Sequence, residues 1–418
     1  MRSRRRWCGA STGWKWIWAA SERPSWWCLA DGNKSGKPSR PTGRDKGGQA
    51  GKGCRMKKLH KGFTTALVFL FWTSIAAADC AVTDMAGRTV AFQSPPRRIV
   101  CLAPGTLRLI VYLQAQDLVV GVEGIEKTGA AGRPYGMAHP SLADLPLIGP
   151  GGPTSINAKP DLEPVLAVKP DVLFVTYMDK ALADEVQRLS GIPVVVLSYG
   201  RFASFDDEIL ESLRVAGTVL GREERVEFLH RFVEGLREDI RRRSADIPES
   251  QKPRAYVGGI GYKGAYGIES TELHYVPFLW NHVSHAAASV KSRLGSHLFL
   301  DREQLLALDP DVIFIDGGGL RLVEEDARKH PEFYTRLKAY QKRRIYRLFP
   351  FNAYATNVES ALVDTVAVGT VLYPERYADV NLRRKADEIY TAFVGRSVYA
   401  EMEALYGPLG GAVELGIR

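Results

Sequence analysis

The sequence predicts a two-lobed α/β protein, each lobe a parallel sheet covered by helices, with one long α-helix joining the lobes. Three observations carry that prediction. A 15-residue segment occurs twice, strand-like runs alternate with helical ones around each copy, and a proline-free helical stretch separates the two halves.

The first copy runs from Asp161 to Val175 and the second from Asp301 to Ile315, at a constant offset of 140 residues with no gap. Each reads as a short helix, a Pro-Asp turn (Pro170-Asp171, Pro310-Asp311) and a buried strand. A shared gapless register is better explained by duplication than by chance.

The surroundings agree. Residues 98–102 and 118–122 are apolar strand-like runs, 180–190 has helical character, and 193–197 is a β-branched strand. Around the second copy, 254–257 opens a strand, 328–341 reads as a helix and 344–348 as a strand. Alternation of this kind gives parallel sheets covered on both faces, hence two Rossmann-like lobes. Between them, 205–244 contains no proline, and glycine only at 217, 221 and 235. Ile209, Leu213, Ala216, Leu220, Val226, Leu229, Phe232, Val233 and Leu236 keep a helical period. A continuous helix here spans roughly 50–60 Å, with glycine near its middle able to bend it. Residues 357–406 look mostly helical and should pack on a lobe.

The organisation that follows is an amino-terminal lobe over 79–204, a linking helix over 205–250, a carboxyl-terminal lobe over 251–395 and a tail over 396–418. Residues 56–78 have the order of a secretory signal peptide: basic Met56 to Lys61, an apolar core from Phe63 to Ile75, then Ala76-Ala77-Ala78. The apolar core is short of the 20 or so residues of a membrane span. Cleavage is expected after Ala78, which makes the mature protein periplasmic. Cys80 raises a lipid anchor as a rival, but Asp79 stands where a lipoprotein signal carries a small residue. Residues 1–55 hold six of the eight tryptophans and no sustained apolar period. They read as a non-native or disordered extension preceding a start at Met56.

The formal charge of +9 belongs to that leader. Residues 1–78 hold 16 Lys/Arg and 3 Asp/Glu; removing them from the totals of 56 and 47 leaves 40 basic and 44 acidic residues. A nucleic-acid partner is not indicated. Of five cysteines only Cys80 and Cys101 survive cleavage, either as a disulfide or with Cys101 as a buried free thiol.

Ligands of open parallel sheets bind outside the carboxyl ends of the strands. Two such lobes facing each other form one cleft. The residues just past each strand include Pro104, Glu123, Tyr177, Met178, Tyr199 and Arg201 on the first lobe. On the second they include Tyr262, Lys263, Tyr266, Gly317 to Gly319, Asn352, Ala353 and Tyr354. Arg133 and Tyr135, in a Gly/Pro-bounded loop, reach toward the same place, as do His274 and Tyr275. Tyrosine suits the task twice over: its phenolate is a hard donor for ferric iron, and its ring stacks on planar ligand groups. Arg201 and Lys263 suit an anionic chelate. His274, His282, His285 and His297 fall within 24 residues, which by itself is more often a set of surface or satisfied residues than a metal centre.

The run Gly259-Ile260-Gly261-Tyr262-Lys263-Gly264 matches the dinucleotide pattern, but no clean amphipathic helix follows it. A loop that brings backbone close to a ligand explains it equally well. The mature chain has no Gly-x-Ser-x-Gly elbow and no His-Glu-x-x-His. A periplasmic hydrolase or transferase is therefore the weaker reading, and no enzyme and no cofactor is expected.

The export signal, paired lobes, spanning helix and repeat together resemble the substrate-binding proteins of ABC importers for ferric siderophores, haem and cobalamin. The stretches Gly258 to Thr271, Phe351 to Asn357 and Val371 to Pro374 resemble segments of the iron-compound branch, which often has His in place of Tyr266 and Tyr in place of Ala353. The resemblance implies a monomer that captures an iron chelate in the cleft with a modest inter-lobe rotation. It passes the ligand to an ABC permease with its ATPase. Haem, cobalamin, a free metal or a sensor role remain alternatives on the same fold. The resemblance also implies that Glu163 and Glu303, equivalent in the repeat, dock into permease arginine pockets, although acidic residues favour the first turn of any helix.

Overall fold

The structure is a computed structural model and describes residues 80–200, 207–292 and 295–417. The signal peptide, the 1–55 extension and Arg201 lie outside the described residues.

The chain opens with a hairpin, β1 (Cys80–Thr83) and β2 (Thr89–Phe92). The amino-terminal lobe follows with β3 (Ile99–Leu102), β4 (Val119–Gly121), β5 (Val172–Thr176) and β6 (Val194–Leu197), all parallel, in the order β4-β3-β5-β6. The carboxyl-terminal lobe contributes β7 (Arg254–Gly258), β8 (Ser270–Glu272), β9 (Ser284–His285), β10 (His297–Phe299), β11 (Val312–Ile315) and β12 (Ile345–Arg347). Its main sheet is parallel, β12-β11-β7-β9, and β8 pairs with β10 in a separate antiparallel ribbon. Both main sheets thus place the strand of the repeat, β5 or β11, third from the corresponding edge.

The duplication extends to individual hydrogen bonds. The amide of Asp171 donates to the Arg98 carbonyl at 2.7 Å and that of Asp311 to the Arg254 carbonyl at 2.8 Å. In return the Arg98 and Arg254 amides donate to the Asp171 and Asp311 carboxylates at 2.9 and 3.0 Å. The residue before each Pro-Asp pair, Lys169 or Asp309, takes a left-handed conformation (φ 47° and 37°).

Alternation along the strands sorts the core. Ile99, Cys101, Val172, Phe174, Val195 and Leu197 share one apolar cluster with Ala255, Val257, Val312 and Phe314 of the other lobe. Their neighbours Val100, Leu102, Leu173 and Val175 point into a separate cluster, and Tyr256, Ile313 and Ile315 into a third. The two lobes therefore share one continuous core, completed by the helices Val358–Leu372 and Leu382–Val394. The latter packs on the amino-terminal lobe's helices Thr106–Tyr112 and Pro134–Ala138.

Two expectations need correction. The linking helix is two helices, Asp207–Leu220 and Glu223–Ser244, because Gly221 (φ 64°) ends the first and the Arg222 amide turns back to the Gly217 carbonyl at 2.7 Å. The helix read over 328–341 breaks at Pro331, which begins a new short helix after Leu320–Lys329. The carboxyl-terminal segment is helical where expected, forming the helix Tyr399–Tyr406, and Ala412 bridges to Tyr346 of β12. Cys101 is a buried free thiol, so it forms no disulfide with Cys80. Burial pushes its pKa well up, and the carboxylates of Glu123 and Glu126 add to the shift.

Candidate functional site

Strand tips of both lobes surround a cleft of about 520 Å³. Pro104 follows β3, Tyr177 follows β5, Gly261 to Ala265 follow β7, Gly318 follows β11, and Asn352 to Ala355 follow β12. Ile125, Pro153 and Ile156 complete the amino-terminal wall. This is where parallel sheets of this kind bind ligands. Its size suits a ligand of drug-like dimensions.

Four non-glycine residues of the lining are left-handed: Tyr177 (φ 54°), Lys263 (φ 55°), Tyr354 (φ 58°) and Ala355 (φ 73°). Such residues cost about 1–3 kcal/mol each and cluster where function requires them. Their presence in one cleft makes it the candidate functional site.

Each wall has its aromatic platform. Tyr177 stacks on Tyr199 with ring centroids 6.4 Å apart and planes 12° from parallel. The Tyr199 hydroxyl donates to the Gly105 carbonyl at 2.8 Å, and only a glycine fits at 105, where an added Cβ would meet that ring at 2.6 Å. Opposite, Tyr262 stacks on buried His297 at 4.5 Å and 12°. The Lys263 ammonium lies 5.7 Å from the Tyr262 ring centroid, on the exposed rim. A cation over an aromatic face is held by the ring quadrupole yet remains available to an anion.

The base of the cleft ties the lobes together. The Tyr354 hydroxyl donates to the Glu123 carboxylate at 2.6 Å and accepts from the Gly152 amide at 3.0 Å. Burial raises the Glu123 pKa, partly offset by that hydrogen bond and by the Ala103 amide. Burial pushes Tyr177 up to about 12, opposed by the charge of Arg108. Tyr354 is pushed up by burial and then by Glu123. At neutral pH both are phenols, so they offer rings and hydroxyls rather than ready phenolates.

Of the residues read from sequence, Pro104, Tyr177, Tyr262, Lys263, Gly318, Asn352, Ala353 and Tyr354 meet in this cleft. The other described candidates do not line it. Glu123 is buried beneath it as the partner of Tyr354. Tyr199 is buried behind Tyr177, and Met178 turns into the apolar cluster behind the sheet. Arg133 and Tyr135 both bind the Glu126 carboxylate, at 2.9 and 2.8 Å, in a different hollow. Tyr266 packs on Phe299 at 4.8 Å rather than facing the cleft. Tyr275 is fully buried against Phe278 and Phe351, and His274 is exposed away from the cleft. Of the other histidines, His282 meets the Ser244 hydroxyl at 3.0 Å, and burial lowers the pKa of His285 and His297 to about 4, so both rings are neutral at pH 7. Among the described residues no group of three or more His, Cys, Asp or Glu is placed to hold a metal ion. No helix opens after the glycine run at 259–264; the ribbon strand β8 follows instead, which removes the dinucleotide reading.

Sequence reasoning missed Ile125, Pro153 and Ile156, because they sit in or beside short 3-10 turns, Gly124–Lys127 and Pro153–Ser155, with no strand to point them. It also missed Arg108, which lies inside an apolar helix and projects toward the cleft base.

The pattern of the periplasmic binding protein family matches residues 99–350. The chain belongs to that family. It is thus a solute-binding component of an ABC transporter and not an enzyme. The molybdate-binding protein MolA of Haemophilus influenzae is 25% identical over 342 residues, covering 76% of this chain and 92% of that protein. The molybdate-bound structure of MolA superposes with a TM-score of 0.61 at 20% identity, covering 76% of this chain and 98% of that one. A periplasmic solute-binding protein from Veillonella parvula superposes with a TM-score of 0.62 at 19% identity, over 78% of this chain and 96% of that one. At these identities the superpositions show the shared two-lobed fold.

Proposed function

We propose that this protein captures an anionic metal–organic chelate, a ferric chelate first among them, in the inter-lobe cleft and presents it to the ABC permease through Glu163 and Glu303. The character of the cleft carries this reading. Three tyrosines, two prolines and two isoleucines make walls for flat organic arms, and Lys263 on the rim supplies a positive charge. A bare metal ion calls for a ligand cluster that the described residues do not assemble. A bare oxyanion is far smaller than 520 Å³ and calls for several converging donors.

Glu163 and Glu303 are both exposed, each in the first turn of its repeat helix, Leu162–Ala167 and Arg302–Leu308. Asp161 and Asp301 cap those helices, accepting from the Glu163 and Gln304 amides. The duplicated geometry supports symmetric presentation to a two-fold permease.

One relative binds molybdate by name, so that anion is the second reading. The test is a titration of the mature chain, followed by intrinsic fluorescence, with ferric tris-catecholate, ferric hydroxamate, haem, cobalamin, ferric ion and molybdate. Saturable binding of a ferric chelate, competed by its gallium analogue, is expected. Tight binding of molybdate with no response to any chelate would replace this reading by the second.

A further inference from the structure

The wall contributed by residues 352–355 belongs by sequence to the carboxyl-terminal lobe, yet its hydrogen bonds reach the other one. The Arg108 guanidinium donates to the Ala353 carbonyl at 2.6 Å and to the Thr356 carbonyl at 2.8 Å. Those two carbonyls flank Tyr354 and Ala355, both left-handed at φ 58° and 73°. A turn with two such central residues normally recruits glycine or asparagine. Here neither is present, so the turn is held rather than intrinsically preferred.

The hold is inter-lobe. Besides the two bonds from Arg108, Tyr354 donates to Glu123, the Gly152 amide donates to Tyr354, and the Asn357 side chain donates to the Gly132 carbonyl at 2.8 Å. Arg108 is fully buried, stacks 4.9 Å over Tyr135, and faces the buried carboxylate of Glu359, which accepts from Tyr112. Its planar fork spans two carbonyls at once, which an ammonium on a flexible stem does not do as well.

We propose that Arg108 is the positioning residue of the ligand-binding turn. It keeps Tyr354 and Ala355 left-handed while the lobes are together, so that parting the lobes and losing one wall of the cleft are a single event. Asn352 ties the turn to the neighbouring loop of its own lobe, because its side chain donates at 3.1 Å to the carbonyl of Gly261. The inference rests on the cleft as ligand site and adds how that site is dismantled. By linkage, a ligand seated on the turn must also hold the lobes together.

The test uses the mature chain with Arg108→Met, Arg108→Lys and the double variant Arg108→Met/Ala355→Gly. Two readouts are taken: amide hydrogen exchange across 352–357 without ligand, and affinity for ferric tris-catecholate and for molybdate. Arg108→Met should speed exchange in the turn and weaken whichever probe binds by at least about tenfold. Glycine enters the left-handed region freely, so the double variant should regain most of that affinity, whereas Arg108→Lys should not. If Arg108→Met fails to fold, Ala355→Val, which resists positive φ, should speed exchange across the turn with Arg108 intact. A cooperatively melting Arg108→Met protein with unchanged exchange would overturn the proposal, as would a double variant no better than the single. If the wild type binds neither probe, the ligand assignment fails, and the exchange comparison still decides the role of Arg108.

Discussion

The two lobes agree on one face and disagree on the other. At the start of the repeat strands they share a reciprocal pair of hydrogen bonds at Asp171 and Asp311 and a left-handed residue at Lys169 and Asp309. At the strand tips they diverge. The amino-terminal lobe offers Pro104, Ile125, Pro153, Ile156 and Tyr177; the carboxyl-terminal lobe offers a glycine-rich loop with Tyr262 and Lys263, and a strained turn. The diverged tips are those around the cleft, and an asymmetric ligand requires no symmetry of them.

The largest expected effect belongs to the proposed docking pair, Glu163 and Glu303. The Glu163→Gln/Glu303→Gln double variant should abolish ligand uptake in cells, with ligand affinity in solution unchanged, and the two single variants should be similar to one another. Wild-type uptake by the double variant would remove the docking assignment.

On the diverged face, Tyr262→Ala should weaken ligand binding by at least about tenfold through lost stacking and burial. The wild-type thermal transition should persist, since Tyr262 is only half-buried. Unchanged affinity in a calorimetric titration would place the ligand elsewhere.

The repeated turns give a smaller effect that should be nearly equal in the two lobes. Asp171→Ala and Asp311→Ala each leave backbone amides without their carboxylate partner, Arg97 and Arg98 in one case and Arg254 in the other. Urea unfolding should show a loss of about 1–2 kcal/mol for each. A loss confined to one lobe would argue against equivalent turns.

The smallest effect is a pH dependence from Asp316 of the carboxyl-terminal lobe. Asp316, at the end of β11, is raised to about 7 by burial, although the Phe351 and Gly318 amides hold it down in part. Its folded-state pKa exceeds the ordinary 3.8, so the folded state binds the extra proton between those values. Its contribution to stability therefore falls as pH rises from about 4 to 7. Asp316→Asn should flatten that part of a melting-temperature profile; an identical slope in the variant would show that other groups produce it.

Much of this was legible in the sequence, for identifiable reasons. The repeat, the strands and the placement of Tyr177, Tyr262, Lys263, Asn352 and Tyr354 follow from continuous apolar runs, buried on both faces, and from the rule that strand tips bind. Sequence could not separate a tyrosine facing the cleft from one buried behind it: Tyr177 and Tyr199 both follow strands, and only their stacking decides which is outermost. Arg133 and Tyr135 were drawn away by Glu126, a partner no local pattern announces. The break at Gly221 needed the left-handed close of a helix, which a glycine permits but does not dictate.

The most direct measurement is a crystal structure of the protein isolated from its host with its bound small molecule retained. Density for a chelate between Tyr177 and Tyr262, within reach of Lys263, with the 353–356 turn still clasped by Arg108, is the expected result. A ligand seated in the Arg133–His139 hollow, or on the outer face of either lobe with the inter-lobe cleft open to water, would contradict the account.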